Sequence, residues 1–222
     1  MIKPATVIPH KKAKKLAKQY RPIFVQYYKD FRDMITPVYF GKLMVNLDPV
    51  IYFSAKSDTD HTYILYCVFH RKDWSSRGGL IGHLDSHEYD LEGVIVVVDG
   101  LSEKVVATAS IFHSQIKFST NQTLYAGRPV FLIQSEGHGI YMEESIMPRN
   151  HLTYMDYGLV NINEPRVHKK FFGIWKKEFN KNGVSTPDQW GYVSKMGVKS
   201  KGLIYTDPRK LFNIARKRKL LT

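Results

Sequence analysis

Cysteine is almost missing from this chain: its 222 residues include a single one, Cys67. No disulfide can close within the chain, and no oxidising compartment is needed to hold it together. Cys67 sits inside the apolar run 63–69, where it reads as a small core residue. Long hydrophobic runs are missing as well, and none approaches the ~20 residues of a membrane span. Residues 1–18 are rich in lysine but have neither a continuous apolar core nor a small-residue cleavage site, so no secretion signal is expected. These absences lead to the expectation of a non-secreted protein, intracellular or housed within a particle. No Walker loop, dinucleotide fingerprint or Gly-x-Ser-x-Gly elbow is present, which leaves acyl transfer and those forms of nucleotide binding without sequence support. No repeats or low-complexity tracts occur.

What the chain does have is an uneven distribution of charge. The net charge of +13 divides into two basic ends and an acidic middle. Residues 1–32 carry nine Lys/Arg against one Asp, and residues 165–222 carry fifteen against three acids. Residues 33–164 are left at −7, with nine basic and sixteen acidic side chains. An acidic centre suits a cation, and basic ends suit nucleic acid, an anionic membrane face or the subunits of a larger assembly. The length and 43% hydrophobic content support one substantial core with appendages. The expected division is a basic helical extension over 1–32, a sandwich core over 33–164 and a basic extension over 165–222 that ends in a helix.

Local patterns supply the elements. Ala13, Leu16, Ala17 and Tyr20 follow helical spacing, with Lys11, Lys12, Lys14, Lys15 and Lys18 covering the other face of a helix over 11–21. The aromatic-rich segment 23–39 has no clean period and is left unassigned. Residues 50–53, 63–69, 91–98, 105–112 and 129–134 read as strands, with a turn at 57–60 and polar loops at 75–79 and 114–127. In 91–98 both alternating faces are apolar, which marks a central strand covered on both sides. Asp207-Pro208 opens a basic helix to about Leu220 that includes Arg216, Lys217, Arg218 and Lys219. Many short β-branched strands with few helices between them define a mostly β fold, an antiparallel β-sandwich with flanking helices and basic helical termini.

One stretch concentrates chemistry. Phe69-His70-Arg71-Lys72-Asp73 is followed, after a Gly-containing gap, by His87-Glu88-Tyr89-Asp90-Leu91-Glu92. Asp90 and Glu92 are two apart, so on an extended strand they point the same way, and His87 would join them through the turn that enters the strand. Carboxylates with one or two imidazoles favour Mg²⁺, Ca²⁺ or Mn²⁺ over a closed zinc site, with Mg or Ca placed ahead of Zn. His83, Asp85 and His87 also alternate and offer a second, more zinc-like arrangement. His138, flanked by Gly137 and Gly139, is a further cavity candidate, because glycines permit close approach of a ligand. Phe171-Phe172-Gly173-Ile174-Trp175-Lys176-Lys177 alternates aromatic and basic residues in a composition compatible with stacking on bases.

The order of these segments resembles the heart of the necrosis-inducing (Nep-like) protein family and its vacuolar-sorting relatives over roughly residues 62–140. The family has a strand ending in an aromatic, then Pro-Lys-Asp, then Gly-His-Arg-His-Asp-Trp-Glu and a valine-rich strand. By position, the resemblance makes Asp73, His87, Asp90 and Glu92 metal-facing residues, and Ile111-Phe112-His113-Ser114, the counterpart of the family's Ala-His-Gly, adds His113. His70 stands where the family has proline, and Tyr89 and Leu91 replace its second His and its Trp. The resemblance implies a β-sandwich with a divalent cation in an acidic cavity, which in the necrosis-inducing members helps bind a sphingolipid sugar head group.

Three functions are expected from these readings. The first is a cation-binding sandwich that acts as a binding or assembly module through its basic ends. The second is a metal-dependent hydrolase of a phosphate ester, with His113 or His138 as general base. The third is an architectural subunit of a virion or nucleoprotein particle.

Overall fold

The structure, a computed structural model, describes residues 6–29, 31–36, 49–74, 87–112, 115–142, 152–154, 157–161 and 208–219. Its framework is set by two long neighbouring strands, β4 (His61–Asp73) and β5 (His87–Asp99). They pair antiparallel from His61↔Asp99 to Asp73↔His87. Valine and isoleucine fill β5, and their branched side chains pack well on a pleated surface. On either side lie β3 (Val50–Ser57) and β6 (Val105–Phe112), followed outward by β1 (Thr6–Val7) and β7 (Gln115–Ser119). β12 (Gly158–Asn161) adds to β3 in parallel. The second sheet runs in the order β10 (Ile140–Tyr141), β9 (Arg128–Ile133), β2 (Ile23–Tyr27) and β11 (Leu152–Tyr154), with β8 (Leu124–Tyr125) also paired to β9.

The two sheets form the expected β-sandwich, and most pairings are antiparallel. The exceptions are β2 with β9 and β12 with β3, both parallel. A parallel pair cannot be joined by a tight hairpin, and each of these joins segments about a hundred residues apart. The loop expected over 114–127 holds two strands instead: Gln115–Ser119 closes a hairpin on β6, with Phe112 paired to Gln115. Its alternation is short and polar enough that pairing, not hydrophobicity, decides it.

Even-numbered positions of β5, Val94, Val96 and Val98, share one buried cluster with Phe24 of β2, Phe131 and Ile133 of β9 and Ile140 of β10. Phe24 stacks on Phe131 at 5.9 Å and meets Tyr157 edge-on at 5.6 Å. The odd positions Ile95 and Val97 are buried too, so β5 is the doubly covered central strand that its composition implies. On this outer face lies α2 (Pro208–Lys219), the basic helix expected near the C-terminal end. Phe212 packs its ring against Tyr63 and Phe118 at 5.4 and 5.3 Å.

The segment 1–32, expected as an extension, is built into the body of the sandwich. β1 pairs with β3, and β2 lies between β9 and β11. Between them α1 (His10–Gln19) buries Ala13 and Ala17 in the inter-sheet core, and the Tyr66 hydroxyl donates to the Ala17 carbonyl at 3.0 Å. The loop at 75–79, the segment 171–177 and most of the expected C-terminal extension lie outside the described residues.

Candidate metal centre

Toward one end of the first sheet the inner face changes from apolar to polar. On β4 the series Ile64, Tyr66, Val68 ends in His70. On β5 the series Val98, Val96, Val94 ends in Glu92 and Asp90. On β6 Thr108 is followed by Ser110. All five polar residues are fully buried. His70 is the register partner of Asp90, so neighbouring strands deliver an imidazole and a carboxylate to one spot.

A third side chain arrives from a short 3₁₀ helix, Phe31–Asp33. Its end is tied to β4 by a bridge between Ile35 and His70 and by the Thr36 N–H donating to the Phe69 carbonyl at 2.9 Å. Asp33 is completely buried and its carboxylate is saturated. Oδ2 accepts from the Lys29 backbone N–H at 2.7 Å and the Ser135 hydroxyl at 2.9 Å. Oδ1 accepts from the Trp74 indole N–H at 2.9 Å and the Glu136 backbone N–H at 3.0 Å. Burial by itself would raise the Asp33 carboxyl, but the His138 contact and these donors outweigh it and hold it well below the usual carboxylate range.

His138 comes from the loop after β9. Two residues of this loop, Glu136 (φ 71°) and His138 (φ 49°), are in the left-handed region, which side chains with a Cβ adopt only under constraint. The constraint is visible. Gln134 N–H donates to the Gly139 carbonyl, Trp74 N–H donates to the Glu136 carbonyl, and Glu136 N–H is held by Asp33. The fully buried His138 ring then lies between two carboxylates, with Nε2 3.3 Å from Asp33 Oδ1 and Nδ1 3.1 Å from Asp90 Oδ2. Burial pushes the imidazole pKa down, yet the two carboxylates more than offset this and raise it. His70 stacks flat on His138, with centroids 3.8 Å apart and planes 6° from parallel. Burial first, and then the neighbouring His138, drive its pKa well below the ordinary histidine value.

The arrangement has the form of a carboxylate–histidine–cation relay. His138 Nδ1 and Asp90 Oδ2 lie at hydrogen-bond distance, 3.1 Å, and Nε2, 3.3 Å from Asp33 Oδ1, makes no hydrogen bond among the described residues; a single proton or a cation at Nδ1 satisfies the pair that faces Asp90. Ligand atoms from His70, Asp90 and His138 lie within 4.8 Å of one another, and Asp90 Oδ1 and both His70 ring nitrogens make no hydrogen bond among the described residues. The donors therefore fit a divalent cation. Glu92, two positions along β5 on the same face, is close enough that its charge adds to burial in raising the Tyr141 hydroxyl pKa.

Of the residues singled out from the sequence, Asp90, Glu92 and His138 meet at this end of the core. Asp73 and His87 face each other in register, three positions beyond the His70–Asp90 pair, or about 10 Å along the strand, and only their backbones are described. β5 already begins at His87, so no turn carries His87 toward Asp90. His83, Asp85 and His113 lie outside the described residues. Asp33 and His70 lie outside the ligand set that the sequence points to. Asp33 falls in the aperiodic segment 23–39 and has no motif, whereas the even spacing of His70 with Val68 and Tyr66 was a usable signal. A second group, Asp58, Asp60 and His61, also brings ligand atoms within 4.8 Å. There the Asp58 carboxylate is taken up by the Asp60 and His61 N–H groups, the Tyr63 hydroxyl and Arg209, so it closes a turn and pins α2.

The fold and the buried cluster define a class: a two-sheet β-sandwich with a candidate cation centre at one end of its core. No family model matches the sequence, and no curated protein matches it. Solved structures do. Necrosis and Ethylene inducing Protein 2 from the causal agent of cocoa's Witches Broom disease superposes with a TM-score of 0.51 at 15% identity, covering 91% of this chain and 93% of that one. NLPPya in complex with glucosamine gives 0.50 at 18% identity, covering 71% and 77%. A structure described as a toxin fold for microbial attack and plant defense gives 0.50 at 17%, covering 72% and 78%. The chain thus has the fold of the necrosis-inducing toxins, and these neighbours give the vacuolar-sorting part of the resemblance no support. They also correct the expectation of an intracellular, non-secreted protein, since they are described as a toxin fold for microbial attack and a necrosis- and ethylene-inducing protein.

Proposed function

We propose that this chain is a divalent-cation-binding recognition module on a necrosis-inducing-type sandwich, with the cation held by Asp90 and His138 and with Glu92 contributing charge. The observation that carries this reading is the facing pair of His138 Nδ1 and Asp90 Oδ2 at 3.1 Å, with the Asp33 carboxylate 3.3 Å from the other ring nitrogen. NLPPya was solved with glucosamine, which makes an amino sugar the first organic ligand to test. The test is calorimetry and elemental analysis on untagged protein. One equivalent of divalent cation is expected in the wild type and none in Asp90→Asn; equal binding by both proteins refutes the assignment.

A second reading concerns α1. Lys11, Lys12, Lys15 and Lys18 are exposed and Lys14 is half-exposed. None of them has an acidic partner among the described residues, while Ala13 and Ala17 anchor the helix. Such a face attracts polyanions and releases their counterions on binding. Retention on phosphatidylserine vesicles or a labelled oligonucleotide should fall steeply with salt, and it should be lost when Lys11, Lys12 and Lys15 are changed to Glu. Unchanged retention would leave α1 as a solvated face.

A further inference from the structure

The histidine that stands where the resemblance has proline supplies chemistry that the resemblance does not assign. His70 is fully buried, lies opposite Asp90 in the β4–β5 register, and stacks on His138 at 3.8 Å. Neither ring nitrogen makes a hydrogen bond among the described residues, and Asp90 Oδ1 is in the same condition. A buried polar group without a partner is destabilising, and a neutral imidazole here has lone-pair capacity that the protein itself does not use. A leucine or phenylalanine would fill the same volume at the end of the Ile64, Tyr66, Val68 series at lower cost.

We propose that His70 is a second imidazole ligand of the buried centre, and that it turns the site from one for Mg²⁺ or Ca²⁺ into one for a borderline transition metal of the Zn²⁺ or Co²⁺ class. This rests on the cation reading above. The donor set becomes two imidazoles with one or two carboxylates, a combination found with zinc and its neighbours, whereas Mg²⁺ and Ca²⁺ take oxygen ligands and, in the case of Mg²⁺, retain water. The donor atoms of His70, His138 and Asp90 already lie within 4.8 Å of one another, so little backbone movement is needed. The parallel rings aim their lone pairs side by side, so loading requires the His70 ring to tilt out of the stack about its side-chain torsions. Asp33, with five contacts to its carboxylate, keeps His138 in place while this happens.

The experiment titrates untagged full-length protein with Zn²⁺, Co²⁺, Mg²⁺ and Ca²⁺ by competition calorimetry, together with side-chain nitrogen NMR of the histidines. His70→Phe, which keeps the ring and its stacking, serves as the paired variant. Wild type is expected to take Zn²⁺ or Co²⁺ at least 100-fold more tightly than Ca²⁺, with shifts at both His70 and His138 nitrogens. His70→Phe is expected to lose ten- to hundred-fold in Zn²⁺ affinity and to keep its affinity for Ca²⁺. A wild type that prefers Ca²⁺ or Mg²⁺, or a folded His70→Phe with unaltered Zn²⁺ affinity, overturns the role of His70 and leaves the cation centre standing. A wild type that binds none of the four ions overturns both. If His70→Phe does not fold, the wild-type preference and the NMR shifts decide the matter alone.

Discussion

The two ends of the inter-sheet core are made by the same strands and obey opposite rules. At the far end Val96, Val98 and Val105 meet Ala13, Ala17 and Tyr20, and the tyrosine hydroxyls that reach in are paired, Tyr20 donating to the Glu103 carbonyl at 2.9 Å and Tyr66 to the Ala17 carbonyl at 3.0 Å. At the near end two histidines, three carboxylates and serine hydroxyls are buried together. The far end stabilises by area removed from water, and it tolerates exchange of one apolar group for another. The near end stabilises only while each partner is present, because a buried polar group that loses its mate is costly. The difference separates the part of the core that makes the sandwich from the part that makes the site.

The sharpest way to break the comparison is to cut into the apolar side. Phe131→Ala removes a fully buried ring stacked on Phe24 and should lower unfolding free energy by about 3–5 kcal/mol in denaturant titrations. A loss under 1 kcal/mol would show that the sheets are not held by this cluster.

Next in size is Asp33→Ala. It strips the acceptor from the Trp74 indole, the Ser135 hydroxyl, two backbone N–H groups and His138 at once, and about 3 kcal/mol is expected. Asp33→Asn, which keeps one acceptor oxygen, should recover part of it. If Asp33→Ala were as stable as wild type, the polar end would not be the interdependent network described.

Cation binding sharpens the contrast further. At a hundredfold excess over its dissociation constant, the preferred ion should add about 2.7 kcal/mol to stability. A chelator should remove that gain, and Asp90→Asn should never show it. The apolar variant Phe131→Ala, where still folded, should keep it.

The smallest effect lies outside both ends, where Asp58 pins α2. Burial raises its carboxyl, but the His61 and Asp60 N–H groups, the Tyr63 hydroxyl and Arg209 together bring it below its ordinary value near 3.8. Such a group contributes fully above its unfolded pKa, and its contribution is lost as pH falls through the lower folded value. Arg209→Ala should therefore cost under about 1 kcal/mol at neutral pH, and its difference from wild type should shrink below pH 4. A difference that grows on acidification would mean that the sign of the Asp58 shift is reversed.

Local pattern was enough for most of the framework. The valines of β5, the apolar stretch of β4, the turn at Asp58 and the helix begun at Pro208 each follow from side-chain shape, alternation or backbone chemistry within a few residues, and none needs a distant partner to be recognised. Asp90 and Glu92 also belong to this class, because a period of two places them on one face of any strand. Other features depend on contacts across the chain. β2 is a strand because Phe24 finds Phe131 and its backbone finds β9, and β7 is one because Gln115 closes on Phe112. Asp33 has no motif of its own, since beyond the Lys29 N–H its partners come from positions 74, 135, 136 and 138. Strand alternation, helical spacing and charge act between near neighbours and can be read along the chain. The closing of two sheets on a buried histidine, with its carboxylates arriving from β5 and from an aperiodic turn, is a long-range event that only the packed core decides.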